Sequence, residues 1–485
     1  MAANRILTFY HDTEQNFGIK VDPAACRQMV TEFLRIEKQY GVSCTYNVVG
    51  KIYEAQPELI DQIMRDGHEV AFHSYTHTYE PENYPTEITH CRKLSPAIKG
   101  YRSPRSQWNE TTLVALWENH FLWSAENDGA REPYFIHKGL VRLPIASDDW
   151  AVHLGEMSED QWVNLFIDCI AKRRYFAFGT HDCVASVKPE PRLRAYERLI
   201  QIALQKKALI ANSSEAADMF RRAALAKCYS RTARAWNDTN RDLYRTRKLK
   251  ELIRSEAQKL DRPVVADLGS AGGLLTAQLA DIAQVIYCID NAAGMVHSVA
   301  KNPVIKAQIG DVTDCGLPDN SVDFVVATRI VEYLFWPNHL ANEIKRIGKL
   351  GGKYLLSFPA ARKGSVFVGH TPPDLIRRYF TAQEIDSWTG QIGSGQLIGI
   401  FKDEEAKAGA QVEPTKYEVH NWVFIGTIED KNPASSVVRM KLIALSEFAF
   451  ELRDKERDAY VKSFGKYIPA PVRKVVRKLP YFKNL

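Results

Sequence analysis

The chain has 485 residues, of which 45% are hydrophobic and 25% charged, and a formal net charge of +6. This length predicts two or three domains, and the composition excludes disordered and collagen-like chains. No apolar run approaches the ~18 residues of a membrane span, and the first residues lack the pattern of a signal peptide. The eight cysteines contain no C-x-x-C pair, which argues against a disulfide framework. We therefore expect a cytoplasmic protein and exclude secreted and membrane-spanning classes.

Two stretches of alternating strand and helix patterns divide the chain. Residues 1–220 alternate short apolar runs with amphipathic segments joined by short turns, which predicts an α/β layer or barrel. Residues 221–262 are rich in Lys and Arg at helical spacing, so we expect a basic helical connector. A second α/β domain is expected over 263–432, followed by a helical, basic C-terminal tail over 433–485.

Acidic and histidine side chains form the first candidate site. Asp12 and Glu14 lie two positions apart at the end of the first predicted strand, so their side chains share a face. His73 and His77 follow a later strand, and two histidines four residues apart in one helical turn can offer nitrogens to one metal ion. On spacing alone, ordinary surface or core histidines stay an open alternative.

Three further fragments follow strand-like runs, as the site of an α/β barrel requires at its C-terminal face. They contain Arg102 and Pro104 in GYRSPRS, Asp148, Asp149 and Trp150 in LPIASDDW, and His181 in FAFGTHDC. In order and spacing, these motifs and the acidic and histidine motifs before them resemble the polysaccharide deacetylase family over about residues 1–210. The resemblance implies a distorted (β/α) barrel of the polysaccharide deacetylase type that holds a divalent ion, expected to be zinc.

The resemblance also implies the metal ligands and the base. Glu14, His73 and His77 would hold the ion, and Asp12 would accept the proton of the attacking water. Where the family commonly has two adjacent acids, this chain has His11 followed by Asp12. A rival assignment therefore makes Asp12 the ligand and leaves the base to another group.

The remaining motif residues would serve the leaving group and the orientation of the base. His181 would protonate the leaving amine, and Arg102 would orient Asp12 with help from Asp148 or Asp149. A backbone N–H near Arg105 would stabilise the oxyanion. A domain that retains this fold without activity is the alternative.

A glycine-rich turn between a strand and a helix forms the second candidate site. In VVADLGSAGG the residues Asp267, Gly269 and Gly273 do not fit a dinucleotide fingerprint and resemble motif I of class I S-adenosylmethionine-dependent methyltransferases. The resemblance covers about residues 230–430 and implies a Rossmann-like doubly wound domain. Asp290 would accept the ribose hydroxyls and Asp311 would lie near the adenine amine. A Rossmann-like domain that binds another nucleotide is the alternative.

Together the two resemblances imply a bifunctional enzyme. It would remove the acetyl group from an N-acetylated sugar, oligosaccharide or lipid-linked glycan. It would also transfer a methyl group from S-adenosylmethionine, and the freed amine is one candidate acceptor. One alternative methylates a hydroxyl elsewhere on the glycan, and another treats the N-terminal domain as a non-catalytic glycan-binding module. The stripe Val472, Val475, Val476 and Leu479 predicts a tail helix that contacts an anionic membrane surface or packs on the second domain. No nucleic-acid partner is expected.

Overall fold

Parallel strands in the N-terminal half close into a barrel in the computed structural model, which describes residues 5–361, 367–370, 375–401 and 419–429. The strands of this half are β1 (Ile6–Thr13), β2 (Thr45–Val48), β3 (Glu69–Phe72), β4 (Gly100–Tyr101), β5 (Trp123–Glu126), β6 (Tyr134–His137), β7 (Leu140–Ser147), β8 (Tyr175–His181) and β9 (Leu209–Ile210). Seven of them pair in parallel in the order β1-β2-β3-β4-β5-β7-β8 and return to β1. The expected (β/α) barrel is therefore confirmed.

Helices cover the outside of the barrel. They are α1 (Pro23–Tyr40), α2 (Gly50–Ala55), α3 (Pro57–Arg65), α4 (Tyr84–Leu94), α5 (Glu110–Glu118), α6 (Trp150–His153), α7 (Glu159–Lys172), α8 (Asp182–Val187) and α9 (Pro189–Gln205). Helix α1 illustrates the local rules: the Asp22 side chain accepts the Ala24 N–H at its start, and Gly41 ends it in the left-handed conformation. Its apolar face joins a core that includes Phe9, Phe33 and Phe166.

The C-terminal half forms a second, mixed sheet. Its strands are β10 (Val264–Leu268), β11 (Val285–Asp290), β12 (Ile305–Ile309), β13 (Val322–Thr328), β14 (Gly348–Pro359), β17 (Gly395–Phe401) and β18 (Val419–Thr427), with β15 (Phe367–His370) and β16 (Leu375–Arg378) forming a separate hairpin. The sheet order is β12-β11-β10-β13-β14-β18-β17, with β18 antiparallel to β14. Strand order reverses beside β10, which places a crevice at the carboxyl ends of β10 and β13. The expected doubly wound fold is confirmed.

One long helix links the barrel to the second sheet. Helix α10 (Ser213–Arg241) begins at a capping box between Asn212 and Glu215 and runs for 29 residues. It is followed by α11 (Tyr244–Ala257), α12 (Ala293–Ser298), α13 (Pro337–Ile347) and α14 (Ala382–Thr389). The first residues of α10 contact the barrel, where the Ser214 hydroxyl accepts the Trp123 indole N–H at 2.8 Å. The helix continues through position 220, where the sequence analysis placed the end of the first domain. The domain boundaries at 220, 262 and 432 stay predictions.

Part of the sequence analysis concerns residues that the structure does not describe. The predicted tail 433–485 and its apolar stripe lie outside the described residues. Among the helices that are described, none combines the length and the apolar character needed to cross a bilayer.

Candidate functional site

Four predicted residues meet at the carboxyl end of the barrel. The Glu14 Oε1 atom lies 3.1 Å from His73 Nε2 and 3.0 Å from His77 Nε2. Asp12 Oδ2 lies farther away, 4.0 Å from His73 Nε2. All four side chains are buried. Strand β1 supplies Asp12 and leads directly into Glu14, while β3 leads into His73, so parallel strand ends bring distant residues together.

The segment that joins His73 to His77 is a loop, so the expected helical turn is wrong. Ser74 and His77 both adopt the left-handed backbone conformation, with φ of +63° and +60°. The Glu87 carboxylate on α4 fixes this loop by accepting the backbone N–H groups of Tyr75 and Thr76 at 2.8 and 2.6 Å. Left-handed backbone at residues other than glycine is strained and persists where the surroundings enforce it, here at His77 and at the residue after His73.

A second carboxylate fixes the backbone that carries Glu14. Asp182, immediately after His181, accepts the backbone N–H groups of Glu14 and Gln15 at 2.9 and 3.1 Å. At Gly18 a Cβ atom would lie 2.0 Å from Glu14 Oε2, so any other residue would require that carboxylate to move. Sequence analysis missed Glu87 and Asp182. The position of Asp182 next to His181 could have indicated a role in the site. Glu87 gave no such indication, because it looks like an ordinary acid in the first turn of a helix.

Asp12 lies between two positively charged partners. Its Oδ1 accepts the Asn47 amide at 2.8 Å, and its Oδ2 lies 3.2 Å from both Arg102 Nη1 and His181 Nε2. Burial favours the neutral acid, but Arg102, His73 and His181 outweigh it and hold the pKa of Asp12 well below its usual range. These neighbours therefore favour the ionised carboxylate, which is the form that can accept a proton.

His181 has two alternative hydrogen-bond arrangements. Its Nδ1 lies 2.7 Å from Asp149 Oδ1, and its Nε2 lies 2.9 Å from the Trp150 indole nitrogen and 3.2 Å from Asp12 Oδ2. Burial lowers the pKa of His181, but Asp12 and Asp149 outweigh burial and raise it well above its usual value. The neutral ring accepts the Trp150 N–H at Nε2, whereas the protonated ring donates from Nε2 to Asp12. Such a nitrogen can both hold and release a proton.

The two adjacent aspartates have different partners. Asp148 Oδ2 lies 3.9 Å from Arg102 Nη2, so it is the acid beside the arginine. Asp149 binds His181, and its second oxygen lies 3.7 Å from Arg192 Nε. The sequence left open which of the two acids assists Arg102. In the structure Asp148 lies beside Arg102, and Asp149 is hydrogen-bonded to His181.

The ligand atoms around Glu14 fit a divalent cation. His73 Nδ1 donates to the Arg102 carbonyl oxygen at 2.9 Å, so its Nε2 presents a lone pair to Glu14 Oε1. A lone pair facing a carboxylate oxygen at 3.1 Å is repulsive unless a cation or a proton lies between them. Two imidazole nitrogens and one carboxylate oxygen are the ligand set of many zinc enzymes. The predicted metal residues therefore suit a metal ion chemically.

The second site is a cavity of about 370 Å³ at the carboxyl ends of β10, β11 and β13. Gly269, Asp290 and Asp311, three of the residues that the sequence analysis assigned to the cofactor, lie on its wall. Gly269 has a φ of +78°, which favours glycine at this turn. Asp290 accepts the Ala271 and Ala292 backbone N–H groups, both at 2.9 Å, and so fixes the glycine-rich loop.

Two of the predicted cofactor residues, Asp267 and Asp311, have protein partners of their own. Asp267 and Gly273 lie behind the loop and not on the cavity wall. Asp267 accepts the Thr276 hydroxyl at 2.7 Å, and burial raises its pKa to about 7. Asp311 accepts the backbone N–H of Thr313 at 2.7 Å and forms an ion pair with Arg222. A nucleotide amine near Asp311 would share that carboxylate with the arginine.

Helix α10 supplies one wall of this cavity, which the sequence analysis treated only as a connector. The lining residues from α10 are Arg222, Leu225, Tyr229, Trp236 and Asn240. Asn237 donates to the Gly272 carbonyl oxygen at 3.1 Å, so the helix packs directly on the glycine-rich loop. The cavity thus has an aromatic and apolar wall opposite polar strand ends, a lining suited to a nucleoside-type ligand.

Comparisons with known proteins match the two halves separately. Two curated relatives are each 30% identical to a short part of the chain. A biotin biosynthesis bifunctional protein BioHC from Cellvibrio japonicus matches over 101 residues, 20% of this chain and 20% of the relative. A probable S-adenosylmethionine-dependent methyltransferase from Mycolicibacterium smegmatis matches over 96 residues, 20% of this chain and 37% of the relative. The chain therefore spans less than half the length of these relatives.

The N-terminal half also has similar solved structures. A probable polysaccharide deacetylase from Pseudomonas aeruginosa PAO1 is 18% identical with a TM-score of 0.39, and the match covers 44% of this chain and 90% of that one. Residues 12–119 match the family model of polysaccharide deacetylase, and residues 266–356 match that of the methyltransferase domain. The chain thus joins a polysaccharide deacetylase domain in its N-terminal half to a methyltransferase domain in its C-terminal half.

Proposed function

We propose that the chain is a bifunctional enzyme that deacetylates an N-acetylated sugar and transfers a methyl group from S-adenosylmethionine to the amine so released. The observation that carries the deacetylase part is the convergence of Glu14, His73 and His77 at one point. The proposed base Asp12 lies 4.0 Å from His73 Nε2, and the proposed acid His181 lies 3.9 Å from Glu14 Oε1. All eight cysteines are free, which supports action in the reducing cytoplasm.

Glu14, His73 and His77 would hold the divalent ion of the deacetylase site. When bound, the ion would polarise the acetamide carbonyl and lower the pKa of a water molecule. Asp12 Oδ2 would accept the proton that this acidified water loses. His181 Nε2 would donate a proton to the sugar nitrogen as the C–N bond breaks, so acetate and a free amine leave. Asp149 would keep the His181 ring in place through Nδ1.

The methyltransferase cavity would hold S-adenosylmethionine between the glycine-rich loop and helix α10. Asp290 would accept the ribose hydroxyls while it fixes the loop, and Asp311 would lie near the adenine amine. Methyl transfer needs little from the protein beyond alignment of the acceptor with the methyl carbon and removal of a proton. Deacetylation supplies a suitable acceptor, because the lone pair of an amide nitrogen is delocalised into its carbonyl.

Mass spectrometry tests both activities in one reaction. Amino sugars linked to a nucleotide, a lipid or an oligosaccharide are incubated with the chain, zinc and S-adenosylmethionine. We expect loss of an acetyl group followed by gain of a methyl group on the same molecule. Methyl gain on a substrate that keeps its acetyl group would favour a hydroxyl acceptor. Methyl gain with no acetate release from any substrate would favour the glycan-binding alternative.

Calorimetry tests the nucleotide independently of any sugar. We expect S-adenosylmethionine and S-adenosylhomocysteine to bind while NAD does not. Asp290→Ala should weaken S-adenosylmethionine at least ten-fold, because hydrogen bonds to a charged acceptor contribute about 1.5–3 kcal/mol each. Binding of NAD in preference to S-adenosylmethionine would contradict the proposed methyltransferase.

A further inference from the structure

A residue on the wall of the methyltransferase cavity has an unpartnered carboxylate oxygen. Glu332 follows β13 and lies on the wall of the cavity that also contains Gly269 and Asp290. The residue is only 2% exposed. Its Oε1 accepts Arg329 Nε at 2.7 Å, but its Oε2 has no hydrogen-bond partner among the described residues. A buried carboxylate oxygen without a partner is unfavourable unless a ligand donates to it.

Three aromatic side chains line the same cavity. The hydroxyl groups of Tyr229 and Tyr333 lie 2.7 Å apart, and the Trp236 ring stands edge-on to Tyr229 with ring centres 5.5 Å apart. The faces of such rings attract cations such as an alkylammonium group. The cavity therefore combines one free negative acceptor with rings that favour positive charge.

The other charged groups on the wall already have partners. They are Arg222, Arg245 and Arg329 together with Asp290 and Asp311. Arg222 is paired with Asp218 and Asp311, and Arg329 is paired with Glu332 Oε1. Asp290 accepts two backbone N–H groups. This leaves Glu332 Oε2 as the position where a ligand gains most from carrying a donor and a positive charge.

We propose that Glu332 Oε2 and the rings of Tyr229 and Tyr333 form the methyl-acceptor subsite, and that the acceptor is a protonated primary amine. This inference rests on the proposed methyltransferase function and specifies its acceptor. The ammonium group donates one N–H to Glu332 Oε2 and lies against the aromatic rings. A neutral hydroxyl would gain the hydrogen bond but not the attraction of the rings for a cation.

Glu332 also serves the transfer step as the proton acceptor. The ammonium passes one proton to Glu332 Oε2, which leaves a neutral amine with a free lone pair. The N–C bond then forms as the bond between the methyl carbon and the sulfonium sulfur of S-adenosylmethionine breaks, and that bonding pair stays on sulfur. The products are a methylammonium, neutral S-adenosylhomocysteine and a protonated Glu332, which returns its proton to water.

Binding of a simple amine tests the subsite without turnover. The full chain is saturated with S-adenosylhomocysteine at pH 6, and the affinities of glucosamine and glucose are measured by ligand-observed NMR. Glu332→Gln keeps the oxygen that pairs with Arg329 but replaces Oε2 with an N–H donor. We expect it to weaken glucosamine at least ten-fold and to leave S-adenosylhomocysteine within about two-fold of the wild type.

Control variants separate the subsite from general damage. Glu251→Gln, on the exposed face of α11, removes the same charge away from the cavity and should leave glucosamine affinity unchanged. Tyr229→Leu keeps Glu332 but removes a ring, and should weaken glucosamine without affecting glucose. Equal glucosamine affinity in the wild type and Glu332→Gln would overturn the proposal, as would equal affinity of the wild type for glucosamine and glucose. Failure of the wild type to bind S-adenosylhomocysteine would instead contradict the proposed methyltransferase itself.

Discussion

Asp149 and His181, 32 positions apart in the chain, are joined by a buried hydrogen bond of 2.7 Å between Asp149 Oδ1 and His181 Nδ1. The bond fixes the imidazole ring so that its Nε2 points to Asp12. The acid that follows β7 therefore controls the orientation of the histidine at the end of β8.

Replacing Asp149 should reduce deacetylation while the fold and the metal ligands stay intact. Asp149→Asn keeps the shape of the side chain but removes the charge that stabilises a protonated His181. Because a general acid typically contributes 10²–10⁴-fold, we expect kcat for acetate release to fall ten-fold or more. Metal content and Tm are measured alongside. Loss of the metal from Asp149→Asn would mean that the residue supports the ligands and not the acid.

The histidine pair should determine metal content. His73→Ala/His77→Ala removes two of the three proposed ligands, so we expect loss of bound metal and of acetate release. Methyl transfer to a free amino sugar should persist, because the second cavity lies on different strands. Metal analysis by mass spectrometry checks the first result. One metal ion per chain in the double variant would refute the ligand assignment.

Asp12 and Glu14 should respond differently to neutral replacement. Asp12 lies 3.2 Å from Arg102 and His181, whereas Glu14 contacts both histidines. Asp12→Asn should therefore retain metal while turnover falls by about 10²–10⁴-fold, and Glu14→Gln should lose metal. Metal content and initial rates are compared for the two variants. The reverse pattern would exchange the base and the ligand.

The pH dependence of stability should reveal the buried Asp267. Burial raises the pKa of this carboxyl from 3.8 to about 7. Below about pH 4 the side chain is neutral in both states, and its stabilising contribution is lost as the pH rises through about 7. The shift corresponds to a contribution on the order of 4 kcal/mol, since one pKa unit is worth about 1.4 kcal/mol.

Asp267→Asn cannot ionise and serves as the comparison. We expect the free energy of unfolding of the wild type to fall between pH 5 and pH 8 relative to that of the variant. Denaturant titrations of both proteins at pH 5 and pH 8 measure how much the free energy of unfolding changes with pH. Any effect of the substitution that is the same at both pH values cancels in this comparison. Parallel pH profiles would show that Asp267 is ionised in the unfolded and folded states alike.

The sheet architecture was predictable because it follows local patterns. Apolar runs that end in polar residues, such as the run ending at His181 and that ending at Asp290, mark strands and the edge where side chains converge. The parallel ends of barrel strands then bring Asp12, Glu14 and His73 into one place. Motif order therefore predicted which residues meet at the carboxyl end of the barrel.

Other features depend on tertiary contacts that no local pattern encodes. The spacing of His73 and His77 favours a helical turn, but hydrogen bonds from the loop to Glu87 hold a different backbone. The charge pattern predicted a basic helical connector, and it did not show that Arg222 is buried. Arg222 pairs with Asp218, one helical turn away, and with Asp311, which is distant in sequence. Such partners become visible only when the chain has folded.

Helix α10 connects the two halves of the chain, although each half matches a separate family model. At 1.5 Å per residue its 29 residues extend about 43 Å, from barrel contacts at Ser214 to the glycine-rich loop at Asn237. A truncation at position 220 would divide α10, because Ser214 contacts the barrel before that position and the residues from Arg222 onward line the cavity after it. The barrel and the second sheet therefore share one continuous helix, and a cut within α10 would divide an element that contacts both.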